Sequence, residues 1–239
     1  MLHILTTLAA IICISLFNLS DVHASPHKSS SSSFYIQSHG LKIGRITSRT
    51  SLTETPAGGR VYRFSNTTRI KANMIFKSYE LESHEEATVS NRGTVSYSRT
   101  SRENGVSTAA KGHLQGDEFH VSIKQDNTAR TLVFHKKQYE YTTMECPETT
   151  LRHPGQTVTM KILDLETLEI INRRYSFVKT EHINVNGKPV NCMVIDFEDK
   201  NKKGRRWIKP DHTGVLIARQ DGRSKSGSYS VRLLEHISR

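Results

Sequence analysis

The chain has 239 residues, 35% of them apolar, which suits one large β domain better than two small ones, and an open or partly hollow sheet better than a thick, fully packed interior. Lys and Arg number 34 against 23 Asp and Glu, a formal net charge of +11. That surplus favours polyanions as partners, through an attraction that salt screens, with a purely solubilising role as the competing reading.

An apolar run from Ile4 to Leu19, broken only by Thr6, Thr7, Ser15 and Asn18, leads into Val22-His23-Ala24. It reads as a secretory signal over residues 1–24, cleaved after Ala24, which places the mature chain in the periplasm or outside the cell. Nucleotide-driven chemistry and nucleic-acid partners then drop out. An uncleaved anchor is the competing reading, because the run is near the lower limit for crossing a bilayer. Cys13 follows Ile12 rather than a small residue, which argues against lipidation.

Residues 25–33 end in five serines with nothing to bury, predicting a flexible leader before a single β-rich domain over residues 34–239. Ile70, Ala72, Met74 and Phe76 alternate with Arg69, Lys71 and Asn73, sending the apolar set to one face of a strand. Phe119, Val121 and Ile123 alternate in the same way with His120, Ser122 and Lys124, and Leu132 with Phe134 is a shorter version. Cys146 to Gly155, with Pro147 and Pro154, predicts a loop with one helical turn near Glu148–Leu151. Met160 to Ile171 reads as strand, turn, strand. Asn186-Gly187 lies between Ile183-Asn184-Val185 and the run Val190–Phe197, and its tolerance of positive φ marks a tight hairpin. Lys203-Gly204, Asp211–Gly214 and Asp221-Gly222 read as further turns, giving strands near 188–199, 205–209, 214–220 and 227–235. The fold class is all-β: a curved antiparallel meander forming an open or partial β-barrel, with one or two short helices at most.

Catalytic templates find no match. There is no G-x-S-x-G elbow, no H-E-x-x-H, no phosphate-cradling glycine loop and no C-x-x-C. The histidines are scattered without the spacing that would bring two of them to one metal, so no metal and no cofactor is expected. Glu85-Glu86 and Asp117-Glu118 read as solvated turn residues. Removal of the signal leaves Cys146 and Cys192, which in an oxidising compartment most often pair. Such a bridge would close a loop of about 45 residues and contribute up to roughly 4 kcal/mol.

Several segments, in this order, resemble a family of bacterial periplasmic proteins of unknown function. They are Phe34-Tyr35-Ile36 with His39-Gly40-Leu41-Lys42-Ile43-Gly44, then Tyr175-Ser176-Phe177-Val178, Asn186-Gly187, Cys192 and Trp207-Ile208. Asp211, Gly214-Val215-Leu216 and Tyr229 to Leu233 complete the set, so that the resemblance covers most of residues 34–235. It implies an exported protein with a curved antiparallel sheet, in the architectural company of periplasmic carriers that shield lipid chains. It supplies no catalytic residue. The polar stretch Ser90–Gly112 departs from what a hydrophobic lining would need.

The expected function is that of a non-enzymatic, monomeric binding or carrier protein for a lipid or lipidated envelope component. Its concave face would be built from Ile70, Met74, Phe76, Phe119, Val121 and Trp207, with Lys202, Lys203, Arg205 and Arg206 as a basic rim for an anionic head group or envelope surface. The alternative is an envelope scaffold that binds a protein or an acidic polymer through basic patches.

Overall fold

The structure, a computed structural model, describes residues 27–74, 77–224 and 227–239. The signal segment, residues 25–26 and the predicted lining residue Phe76 lie outside them. Strands β1 (His27–Ser38), β2 (Leu41–Glu54), β3 (Arg60–Met74) and β4 (Lys77–Ser90) are followed by β5 (Gly93–Glu103), β6 (Val106–Gln115), β7 (Glu118–Gln125) and β8 (Thr128–His135). A short strand β9 (Tyr141–Thr142) and a 3-10 turn at Pro147–Thr150 precede β10 (Thr157–Asp164) and β11 (Glu169–Val185). The chain ends with β12 (Lys188–Glu198), β13 (Lys202–Asp211), β14 (Gly214–Ser224) and β15 (Gly227–Ser238). All belong to one sheet, in the order β8 to β1, then β15 down to β9. Every ladder is antiparallel except that between β9 and β10.

The expected architecture is therefore present, an all-β curled meander. Tight hairpins follow from residues that accept positive φ: Asn186 and Gly187 have φ of 51° and 80°, and Asn104-Gly105 joins β5 to β6 in the same way. The five serines are not a loose leader. They form the first half of β1, hydrogen-bonded on one side to β2 and on the other to β15, because a central position in the sheet satisfies their backbone whatever the side chain. Lys203-Gly204 and Asp221-Gly222 are not turns either. Gly204 and Gly222 face each other in the β13–β14 ladder, and a β-carbon on Gly204 would lie 2.5 Å from the Asp221 carbonyl and 2.7 Å from the Phe197 ring. The missing side chains let the rings of Phe197 and Tyr229 cross the strands.

The sheet rolls until it meets itself. On the inner face of β4–β7, Ala87, Tyr97, Ala110, Phe119, Val121 and Ile123 pack against Leu163 and Leu165 from the far end of the sheet. Ile162, one residue away on β10, points the other way into a second cluster with Tyr175, Ile195, Phe197 and Ile208. β10 is thus buried on both faces. The overlap is pinned by the Thr94 and Thr142 hydroxyls, 2.6 Å apart, and by the Tyr97 hydroxyl, which donates to the Leu165 carbonyl at 3.2 Å. A third cluster joins Phe34 and Leu233 to Cys192, Val194, Trp207 and Leu216, so β12 is also covered on both sides. Bulges at Ser33/Phe34, Thr88/Val89, Phe177/Lys179 and Trp207/Ile208 supply the bends.

Cys146 and Cys192 are both free thiols, contrary to the expected bridge. Cys192 sits in the third cluster. Cys146 precedes the 3-10 turn beside Glu148 and Arg206, and Arg206 pairs across the ladder with Ile195 of the second cluster, on the opposite face of β12. The sheet itself stands between the two sulfurs.

Candidate functional site

The residues expected to line an open concavity are placed differently. Phe119 and Val121 are wholly covered within the first cluster, and Trp207 is buried in the third, its indole N–H donating to Glu181 at 2.7 Å. The Arg219 guanidinium lies 4.2 Å above the Trp207 ring. Ile70 is half-buried on β3, and Met74 closes that strand. Phe119 and Val121 are consumed by the overlap of the sheet.

The four basic residues divide because neighbours along a strand point to opposite faces. Lys202 lies 3.0 Å from Glu166 and 3.3 Å from buried Asp164. Arg206 donates to buried Glu148 at 2.6 Å and stacks on Phe197. Both are structural. Lys203 and Arg205 emerge on the other side, in an open groove of about 720 Å³ formed across β11–β15 and the β1–β2 turn.

The ladder register lays out the floor of this groove in rows. One row runs Arg174, Glu198, Lys203, Arg223 and Ser228 from β11 to β15, and the next runs Ser176, Asp196, Arg205, Asp221 and Ser230. Three acids are engaged. Glu198 holds Arg174 at 2.9 Å, Asp196 grips Arg205 through two bonds of 2.6 and 2.9 Å, and Asp221 is shared between Arg219 and Arg232. The second grip holds the Arg205 guanidinium more firmly in its charged form than usual, through the Asp196 hydrogen bonds first, against the opposing effect of burial. Lys203 and Arg223 are left directly opposite each other on β13 and β14. Among the described residues neither is ion-paired, and two like charges facing each other across a ladder repel.

Two further grooves, of about 770 and 650 Å³, cross β1–β5 and β3–β7 and carry Arg49 and Arg63 in one and Arg69, Arg102 and Lys124 in the other. Both are open and lined mainly by Ser, Thr and charged residues. Among the described residues no group of three His, Cys, Asp or Glu side chains is arranged to hold a metal ion. Arg174, Arg223 and Arg232 escaped the sequence reading. Their signal was the register that sets Gly204 against Gly222, hidden while both glycines read as turns.

Comparison with known proteins adds the fold. No family model and no curated protein matches the chain. The crystal structure of a β-barrel-like protein of a domain of unknown function, DUF1849, from Brucella abortus superposes with a TM-score of 0.58 at 10% identity, covering 90% of this chain and 98% of that one. At that identity the likeness is one of fold. The chain is a β-barrel-like, all-β protein similar in architecture to a domain of unknown function.

Proposed function

We propose that this is an exported binding protein whose β11–β15 groove takes an acidic partner, either a protein segment rich in Asp and Glu or an anionic envelope polymer. The observation that carries the reading is the juxtaposition of Lys203 and Arg223. Holding two cations opposite each other costs stability in the free protein, and an anion between them converts that cost into attraction. Arg174, Arg205 and Arg232, already fixed by their acids, extend the charged floor on either side. An acyl chain would need an open apolar surface, whereas the apolar residues expected to supply it, Phe119, Val121 and Trp207, are covered. The net charge of +11 adds long-range steering toward such a partner.

Binding of fluorescein-labelled polyglutamate, followed by anisotropy, tests this. Affinity should fall steeply between 50 and 300 mM salt, and the double change Lys203→Glu with Arg223→Glu should weaken binding at least tenfold. Charge reversal of Arg49 and Arg63 in a neighbouring groove should change it about twofold or less. Equal loss from both pairs would reduce the attraction to bulk charge, and unchanged binding in the first pair would overturn the proposal.

A further inference from the structure

Beyond the binding groove, the β13–β14 turn holds a side-chain cluster that no sequence motif announces. Asp211 ends β13 with its side chain 15% exposed, and each carboxylate oxygen faces an imidazole. Oδ1 lies 2.6 Å from His212 Nδ1, and Oδ2 lies 3.4 Å from His236 Nε2. Each ring reaches a serine on its far side: His212 Nε2 is 2.7 Å from Ser238 Oγ, and His236 Nδ1 is 2.9 Å from Ser32 Oγ. Two Ser–His–Asp chains share one carboxylate.

The two chains are not equivalent. Ser32 is 8% exposed and out of reach of a substrate. Ser238 is exposed and the His212 side chain is 43% exposed. In this second chain Nε2 meets the hydroxyl while Nδ1 meets the carboxylate, the arrangement in which the imidazole accepts the serine proton and the carboxylate fixes its tautomer. Asp211 is held in advance: it accepts from the His212 amide at 2.7 Å and from the Thr213 hydroxyl at 3.2 Å. Thr213, 2% exposed, is itself tied to Ser30 on β1 at 2.8 Å.

The ladder register also turns one backbone donor beside the nucleophile away from β1. Ser29 and Arg239 exchange both backbone hydrogen bonds, at 3.0 and 2.8 Å, so the alternation of an antiparallel ladder turns the Ser238 N–H away from β1. On that side β14 pairs with β15 no further than Arg232, and among the described residues no strand covers the Ser238 amide. The nucleophile's own N–H is one of the two donors in the serine-hydrolase oxyanion hole.

We propose that Ser238, His212 and Asp211 form an acyl-transfer site for short-chain carboxylic esters. Ser238 Oγ bonds to the carbonyl carbon as its proton passes to His212 Nε2. The carbon–oxygen bond to the alcohol then breaks, and the alcohol departs with that proton. Water adds to the acyl-serine, giving a proton to His212; the carboxylic acid leaves and Ser238 regains its hydrogen. Ser238 and His212 are exposed and lie outside the three grooves, so an acetyl group carried on a larger alcohol suits the site better than a long acyl chain.

The test uses the full exported chain with a fluorophosphonate probe and with p-nitrophenyl acetate. The probe should map to Ser238 by peptide mass spectrometry, and Ser238→Ala and His212→Ala should both abolish the label and cut turnover about a hundredfold. Ser32→Ala should retain turnover within about twofold. Asp211 acts as a positioning residue: Asp211→Asn should lower kcat by about 10² to 10⁴ with KM little changed. Ser238 is exposed, so its alanine variant should keep the parent's melting temperature and polyglutamate binding, which separates failure here from failure of the groove. Absence of label, label on another residue, or parental turnover in Ser238→Ala would each overturn the proposal.

Discussion

Replacing Arg173 with methionine removes the one cation that joins two fully buried carboxylates. The Arg173 side chain is 2% exposed and donates to Asp199 at 2.7 Å and to Asp164 at 3.0 Å, both side chains being 0% exposed. Methionine fills most of the volume, so the cost lies in the stranded charges rather than in a cavity. Lys202 remains 3.3 Å from Asp164. The Asp199 Oδ2 atom loses its ion pair, while Oδ1 keeps the amides of Asn201 and Lys202. Breaking a buried pair from one side costs about 3–5 kcal/mol, equivalent to a fall in Tm of about 6–20 °C in a domain of this size. Thermal unfolding at pH 7, followed by circular dichroism, reads it. Adding Asp199→Asn should recover part of the loss. A cost under about 1 kcal/mol, or no recovery, would refute the reasoning. The pH dependence adds a second check. Burial pushes the Asp164 carboxyl up, but Lys202 and Arg173 outweigh it and hold the group below its ordinary value of 3.8. Its stabilisation is therefore complete above that value and is lost as pH falls toward the folded one, so the gap between variant and parent should narrow in acid.

Gly222→Ala should cost about 1–3 kcal/mol and be partly rescued by Tyr229→Val, because the added carbon meets a side chain that can be shortened. Gly204→Ala should resist rescue by Phe197→Leu, since the nearest obstacle, 2.5 Å away, is the Asp221 carbonyl; denaturant melts of the four variants separate the cases. Burial, with Glu148 adding to it, pushes the Cys146 thiol up to about 12, and burial pushes Cys192 up to about 11. Alkylation at pH 8 should therefore be slow in the native protein and complete in urea without reductant; a need for reductant would restore the bridge. Leu163→Ala, at a wholly covered position shared with Phe119, should cost about 2–5 kcal/mol. In a double-mutant cycle with Phe119→Leu it should couple by about 0.5 kcal/mol or more, and strict additivity would separate the two layers.

The strands were legible wherever one face of the sheet is apolar and the other charged, as in Phe119, Val121 and Ile123 against Ser122 and Lys124. Turn chemistry located the Asn186-Gly187 hairpin for an equally local reason. The serine run of β1 was not legible, because its order comes from two neighbouring strands distant in sequence. Gly204 and Gly222 misled for a related reason: a glycine that makes room for a ring and a glycine that makes a turn look the same until the register is known. The proposed binding face was half legible. Lys203 and Arg205 lie on it, but the sign of their neighbours depends on which residues of β12 and β14 stand opposite.

What the rolled sheet leaves for partners follows from what it consumes. An open half-barrel with one apolar face can hold an acyl chain, whereas here β10 and β12 are buried on both faces, the overlap covers Phe119 and Val121, and the third cluster covers Trp207. The surface that remains concave and accessible on β11–β15 is the charged side of those strands. In its outer row three cations, Arg174, Lys203 and Arg223, outnumber the single acid Glu198, which pairs with Arg174 and leaves Lys203 and Arg223 in mutual repulsion. Folding tolerates that repulsion because the aromatic and aliphatic clusters beneath hold the strands in register. On the proposed function, an anion placed between Lys203 and Arg223 would draw on that repulsion, already present in the unliganded sheet.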